Sequence, residues 1–173
     1  MKLLPMALFL LAALPTLTLA QQRRLGPHVH GQAIVDLSIE HDELDIAVSL
    51  PGHDAVGFEH PPATAQERTA VSRTTATLHD ASWLVPAAAA ACTLQTAVVQ
   101  PHGFDKAAES GGHADFDSRY RYTCAHMGQL DHINASLIGA FPSVHQVVVN
   151  LITASGSNRQ TLDASVSRID VTP

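Results

Sequence analysis

The amino-acid sequence predicts an α+β fold that is mostly β, with antiparallel sheets built from hairpins and one main helix, over residues 65–80, packed on them. Two observations support this prediction. Apolar and polar residues alternate through 32–40 and again through 44–50, which is the period of a strand with one buried and one solvated face. Further along, Thr64 and Glu67 form a Thr-x-x-Glu capping box, in which each side chain pairs with a backbone N–H that the first helical turn leaves unbonded.

The predicted elements follow one another along the chain. Residues 32–40 and 44–50 form a hairpin, with its turn at 41–43. Pro61 and Pro62 exclude a regular helix or strand, so the chain must bend before the helix. Beyond the helix, an alanine run at 87–91 is expected to connect it to later strands. These strands are expected over 92–100, 116–124, 133–138 and 146–153, with 162–171 as one broken strand or two short ones. In 116–124 the residues alternate between two faces, with Phe116, Tyr120, Tyr122 and Cys124 on one side and Asp117, Arg119, Arg121 and Thr123 facing out.

The chain begins with a segment that is typical of a secretory signal. Lys2 precedes an apolar run over 3–14, and Thr18 and Ala20 are small residues at the two positions that a signal peptidase reads. We therefore expect cleavage after about Ala20 and no stable membrane anchor, because the apolar run is too short for a permanent span. Residues 21–27 are then a flexible arm and 28–173 a single domain. Within it, 28–100 and 114–173 are candidate β-rich lobes joined by a flexible loop, 101–113.

Charge restricts the partners of the exported chain. Without Lys2, nine basic residues stand against 16 acidic ones, so the net charge is −7 with histidine neutral. Such a surface repels nucleic acid and anionic lipid, and neither is expected as a partner. It tolerates cations.

The two cysteines, Cys92 and Cys124, are expected to form a disulfide, because an exported chain meets an oxidising compartment. Each borders a predicted strand, so the bond would pin two strands together and stabilise the fold by about 3 to 4 kcal/mol. The alternative is a pair of thiolate zinc ligands, which lacks the usual Cys-x-x-Cys spacing.

Eleven histidines are the main functional signal in the sequence. Zinc prefers about four nitrogen, sulfur or oxygen donors in a tetrahedron. His28 and His30 lie two residues apart on an extended segment, so their side chains point to the same side and can hold one ion together. Glu59 and His60 offer an oxygen and a nitrogen at the bend. The plain alternatives are an exposed arm with incidental histidines and a glutamate that only balances the helix N-terminus.

A third group of candidate metal ligands belongs to the predicted loop and the residues just after it: His102, His113 and Asp115. Such a loop is expected to become ordered when it binds metal. The alternative is a solvated acidic loop. His53 and Asp54 lie near the bend and are expected either to contribute to a site or to line the same wet loop. The remaining histidines are expected at the surface: His41, His79, His126, His132 and His145.

Several short motifs occur together in this chain. They are His28-Val29-His30-Gly31, Gly57-Phe58-Glu59-His60-Pro61-Pro62 before an alanine-rich helix, the single Cys92 and Cys124, Tyr120-Arg121-Tyr122-Thr123-Cys124, and Phe141-Pro142. In this combination, residues 28–171 resemble the ZrgA-like periplasmic zinc-binding proteins, long treated as a domain of unknown function.

The resemblance implies a periplasmic zinc-binding role in metal uptake and homeostasis in Gram-negative bacteria, with no catalytic activity. It also implies a metal-uptake transporter component of the envelope as a partner. Members often carry a long loop, dense in His and Asp, between the two cysteines. In this chain the loop is thin and holds only His102 and His113.

We therefore expect an exported protein, not an enzyme, that binds Zn(II) through His, Glu and Asp side chains and buffers or delivers it for uptake. Two alternatives stay open. A zinc-dependent hydrolase would need an open coordination position and a nearby base, and the chain contains no His-Glu-x-x-His. A β-rich envelope interaction domain would carry its histidines incidentally.

Overall fold

The computed structural model describes residues 28–105 and 113–171. The predicted signal segment and flexible arm, together with 106–112, lie outside the described residues. The strands are β1 (Gln32–Glu40), β2 (Glu43–Pro51), β3 (Leu84–Pro86), β4 (Cys92–His102), β5 (Asp115–Cys124), β6 (His132–Ala135), β7 (Gln146–Thr153), β8 (Gly156–Leu162) and β9 (Arg168–Asp170). The helices are α1 (Gly52–Val56), α2 (Ala65–Asp80) and α3 (Leu137–Ala140).

The strands form one large and one small sheet. The large sheet has six strands in the order β4-β5-β2-β1-β7-β8, and the small one has the order β3-β6-β9. The predicted fold class is confirmed, with one addition: β1 and β7 pair in parallel, so the large sheet is mixed. The large sheet takes strands from both 28–100 and 114–173, so these two segments share it.

The core lies on one face of the large sheet, beneath α2 and the small sheet. In β5 every second residue from Phe116 to Cys124 is buried, as the alternating pattern predicted. Two tyrosines of this strand tie the layers together. The Tyr120 hydroxyl donates to the carbonyl of Leu78 in α2 at 2.8 Å, and the Tyr122 hydroxyl donates to the carbonyl of Leu84 in β3 at 3.2 Å.

Helix α2 and the disulfide match their predictions. The Thr64 side chain accepts from the Glu67 N–H, and the Glu67 carboxylate accepts from the Thr64 N–H, so the capping box is complete. The backbone N–H groups of Thr64 and Ala63 both donate to the Glu67 carboxylate and hold the pKa of Glu67 below its ordinary value. A disulfide joins Cys92 to Cys124, which are paired residues on β4 and β5.

The structure corrects three predicted boundaries. The strand expected over 133–138 ends at Ala135, because Leu137 turns into the core and starts α3. The last strand signal begins earlier than expected: Thr153 pairs with Gly156 across a tight turn, which starts β8, and β9 is separate. The first residues of the expected loop at 101–113 belong to β4, and the apolar side chain of Phe104 is buried in the core.

Candidate metal centre

Four strand ends meet at one end of the large sheet. β1 and β5 begin there, and β2 and β4 end there, because each of these strands runs antiparallel to its neighbour. Side chains just outside these ends therefore converge even though they are far apart in the sequence. The candidate metal ligands come from all four ends.

Gly31 fixes the short segment that carries His28 and His30. Its φ of +80° lies in the left-handed region that favours glycine. Its N–H donates to a buried carboxylate oxygen of Asp54 at 2.8 Å, and its carbonyl accepts from two backbone N–H groups at the start of β7. The His30 ring stacks on the ring of His53, with the centroids 4.6 Å apart. His53 and Asp54 thus support this segment from α1.

Glu59 is placed by the bend that follows α1. The helix ends at Val56, and the φ of +87° at the following residue, Gly57, turns the chain away from the helix axis. Phe58 then packs edge-to-face against Phe104, and Phe104 contacts Phe116 in β5. This aromatic contact holds the bend against the core, so the Glu59 side chain has a defined position and is only 17% exposed.

His113 is held where three chain segments crowd together. The carbonyl of Ala114 accepts from the N–H of Gly52 at 2.7 Å. A Cβ on Gly52 would lie 2.7 Å from that carbonyl oxygen, and a Cβ on Gly103 would lie 2.7 Å from the carbonyl oxygen of His113. The approach of these segments therefore needs glycine at both positions.

Three imidazoles converge on the Glu59 carboxylate. His30 Nε2 lies 3.0 Å from Oε1, His113 Nδ1 lies 3.1 Å from Oε2, and His28 Nε2 lies 3.7 Å from Oε1. One donor atom each from His28, Glu59 and His113 lies within 4.8 Å of the others. With metal–ligand distances of roughly 2.0 to 2.1 Å, the donors of tetrahedral zinc are about 3.3 Å apart. We call His28, Glu59 and His113, together with His30 beside Glu59, the inner cluster; His30 does not belong to the group of three donors that lie within 4.8 Å of one another.

His28 has a buried nitrogen without a partner. Its Nε2 is shielded from solvent and makes no hydrogen bond, while its Nδ1 lies 3.8 Å from Asp115 Oδ2. An unpaired buried nitrogen is costly. A metal ion would satisfy it. A carboxylate facing the other ring nitrogen is the usual arrangement around a metal-bound histidine, because it orients the ring.

The charge balance at Glu59 favours an ionised carboxylate. Burial acts to raise its pKa, but hydrogen bonds from His113, His30 and the backbone of His53 outweigh it and hold the pKa below its ordinary value. Glu59 therefore offers an anionic oxygen donor.

A second group of donors lies beside the first on the solvent face of the sheet. His102 pairs across the strands with Asp115, and Asp117 follows on the same face of β5. His102 Nε2 is 3.6 Å from Asp117 Oδ2, and one donor atom from each of the three residues lies within 4.8 Å of the others. Burial and the nearby charge of Asp117 raise the pKa of Asp115. We call these three residues the outer cluster.

The structure does not bring His60 into either cluster. Its Nδ1–H donates to the carbonyl of Pro61 at 3.1 Å, and its ring stacks on Phe58. The residue before a proline is held extended, so the neighbouring side chains of Glu59 and His60 point to opposite sides. The five remaining histidines lie outside both clusters and are exposed or half-buried: His41, His79, His126, His132 and His145.

Asp117 was not among the predicted ligands. Its signal in the sequence is its spacing, because it lies two residues after Asp115 in a strand and so shares its face. The alternation in 116–124 predicts that Asp117 points to solvent, but it does not predict that His102 lies beside Asp117.

Residues 27–171 match the family model described as "ZrgA family zinc uptake protein". No curated protein matches the chain. Among the residues that the structure describes, no helix has the length and apolarity needed to cross a membrane.

Proposed function

The chain belongs to the ZrgA family of zinc uptake proteins, and on that basis we propose that it is an exported, periplasmic protein that binds Zn(II) as cargo and buffers or delivers it for uptake. The inner cluster is the proposed binding site, with His28, Glu59 and His113 as ligands and His30 as the fourth. A metal-uptake transporter component in the envelope is the proposed recipient.

The buried Nε2 of His28 is the observation that carries this proposal. It faces the Glu59 carboxylate at 3.7 Å without a hydrogen bond, and Asp115 approaches the opposite nitrogen of the same ring. A nitrogen in this position, with a carboxylate on each side of its ring, is available to coordinate a metal ion. Three neutral imidazoles and one carboxylate match the donors that Zn(II) takes in proteins, and they leave a complex of net charge +1.

A fourth protein ligand would favour binding in place of catalysis, and His30 is the candidate for it. Catalytic zinc keeps one coordination position for water or substrate, whereas four protein ligands close the coordination sphere. His30 Nε2 lies 3.0 Å from Glu59 Oε1, which is close to the separation of two ligands on one tetrahedral ion. We propose that His30 moves onto the ion as its fourth ligand, which would leave no open position for a hydrolytic water.

The cellular setting follows from the same proposal. A disulfide persists in an oxidising compartment such as the periplasm, which fits an exported carrier. Fractionation of cells that express the full chain should find the mature protein in the periplasmic fraction, with its N-terminus near Gln21. Full-length protein in the cytoplasm would contradict the proposed location.

Competition between the mature protein and a chromogenic zinc chelator tests the site. Removing a residue that only orients a metal ligand typically lowers metal affinity by about 10- to 100-fold. His28→Ala and His113→Ala remove proposed ligands themselves, so we expect each to lower zinc affinity by about 100-fold or more. His79→Ala, an exposed histidine at the end of α2, is the matched control and should bind as the wild type does. Unchanged affinity in both ligand variants would contradict the proposal.

His30→Ala tests the fourth ligand separately. We expect weaker binding and, by X-ray absorption at the zinc edge, one imidazole fewer around the ion than in the wild type. An unchanged coordination shell would mean that His30 only hydrogen-bonds to Glu59, and the position would then be open to water.

A further inference from the structure

The two carboxylates of the outer cluster have histidines as their basic neighbours. Among the described residues, the basic side chains that approach Asp115 and Asp117 are His28 and His102, and no arginine pairs with either carboxylate. Oδ1 of Asp115 is shielded from solvent and has no hydrogen-bond partner. Two carboxylates on one strand face repel each other, and a bound cation would relieve this repulsion.

We infer that His102, Asp115 and Asp117 form a second Zn(II) site, separate from the inner cluster and weaker than it. Each residue offers one donor atom, and these atoms lie within 4.8 Å of one another. One imidazole nitrogen and two carboxylate oxygens are a sufficient set for Zn(II), with water completing the coordination. The inference rests on the proposed function only in taking Zn(II) as the ion.

Exposure and ligand number make the outer site the weaker of the two. The side chains of His102 and Asp117 are 52% and 46% exposed, whereas the inner cluster contains two well-shielded ligands, His28 at 14% and Glu59 at 17%. His30 and His113 are as exposed as His102, so the difference rests on His28, Glu59 and the number of ligands. An exposed ion is screened by water and is held by three protein ligands, so it is released more easily.

Asp115 connects the two sites. Its Oδ2 lies 3.8 Å from Nδ1 of His28, so the same carboxylate that orients an inner ligand belongs to the outer donor set. An ion in the outer site therefore lies beside the inner site, and repulsion between two divalent ions further weakens the second binding step. Asp115→Asn is the one substitution in this region that should weaken both binding steps.

Equilibrium dialysis of the mature protein against Zn(II) alone, with metal measured by mass spectrometry, tests the inference. We expect two ions per wild-type chain, one in a tight class and one in a weak class. His102→Ala and Asp117→Asn should each lose the weak class and keep the tight one, because both residues are exposed and neither lies in the inner cluster. His113→Ala should lose the tight class and keep the weak one.

His79→Ala and Asp80→Asn, both on exposed residues at the end of α2, are matched controls and should keep two ions. A single ion in the wild type, or a weak class that survives both His102→Ala and Asp117→Asn, would overturn the second site and leave the proposed function standing. A tight class that His113→Ala leaves unchanged would overturn the proposed function, and the outer site would still be judged by its own two variants.

Discussion

Gly52→Ala should weaken both the fold and zinc binding, although Gly52 is not a ligand. A Cβ at this position would lie 2.7 Å from the carbonyl oxygen of Ala114, and 3.0 Å from both an atom of the Phe104 ring and the carbonyl oxygen of Phe58. Ordinary contacts begin at 3.4 Å, so the segment that carries Ala114 must retreat by about 0.7 Å. Overpacking of this kind costs about 1 to 3 kcal/mol of unfolding free energy.

The displacement of the segment that carries Ala114 would also move a residue of the inner cluster. His113 precedes Ala114 in the chain, and metal–ligand distances tolerate a change of only about 0.2 Å. The N–H of Gly52 also donates to the displaced carbonyl at 2.7 Å, so that hydrogen bond weakens. We therefore expect zinc affinity to fall by about tenfold or more, the effect typical of losing a supporting contact at a metal site.

Urea unfolding without metal and zinc competition with a chelator measure the two effects separately. Gly139→Ala in α3 is the matched control, because no atom lies within 4 Å of its added Cβ and alanine suits a helix. If Gly52→Ala unfolded at the same urea concentration as this control and bound zinc as tightly, the argument that crowding at Ala114 positions His113 would be refuted.

Three further predictions concern the scaffold and the pH. Tyr120→Phe should lower the unfolding free energy by about 1 kcal/mol in urea titrations, because the buried hydroxyl no longer donates to Leu78, and zinc affinity should not change. Cys92→Ser combined with Cys124→Ser should cost about 3 to 4 kcal/mol, and reduced wild-type protein should show the same loss. Because the pKa of Glu59 is lowered on folding, its carboxylate stabilises the metal-free protein above about pH 4.5. This stabilisation is lost as the pH falls through the folded-state pKa of Glu59. Glu59→Gln should therefore make the unfolding free energy less dependent on pH in that acidic range.

Features that depend on neighbouring residues were predictable from the sequence. The alternation in β1 and β2, the alternation in β5 and the capping box of α2 each act over a few residues, and each element lies where its pattern predicted. The parallel pairing of β1 with β7 has no local pattern, because it joins segments separated by more than a hundred residues. Leu137 looked like the end of a strand because an apolar residue fills a strand or a short buried helix equally well.

The inner cluster was predictable only where local sequence patterns identified its residues. His28, His30 and Glu59 stood out by spacing and by their place at a bend, and His113 by its loop. The sequence could not predict that the three imidazoles surround the Glu59 carboxylate. That arrangement depends on which strand ends meet at one end of the sheet. His60 was the misleading neighbour, since adjacency to Glu59 in the sequence places it on the opposite side of an extended chain.

The outer cluster depends on a single extra residue in β4. The disulfide pairs Cys92 with Cys124, and an unbroken antiparallel register would carry His102 to a position opposite Ala114, with its side chain on the core face. The register shift between Leu94 and Thr96 moves every later residue of β4 to the other face. His102 consequently faces solvent opposite Asp115, which brings three donors together.

The disulfide and the two clusters also occupy opposite ends of the same strand pair. Cys92 and Cys124 form one end of the β4–β5 ladder, and His102 and Asp115 form the other, about 30 Å away at roughly 3.3 Å per residue. The disulfide thus holds the two strands together without a bound ion. At the opposite end, Gly52 and Gly103 allow the segments that carry the proposed ligands to pack closely. We expect this scaffold to hold the proposed ligands in place without the ion, as a protein that releases Zn(II) and binds it again would require.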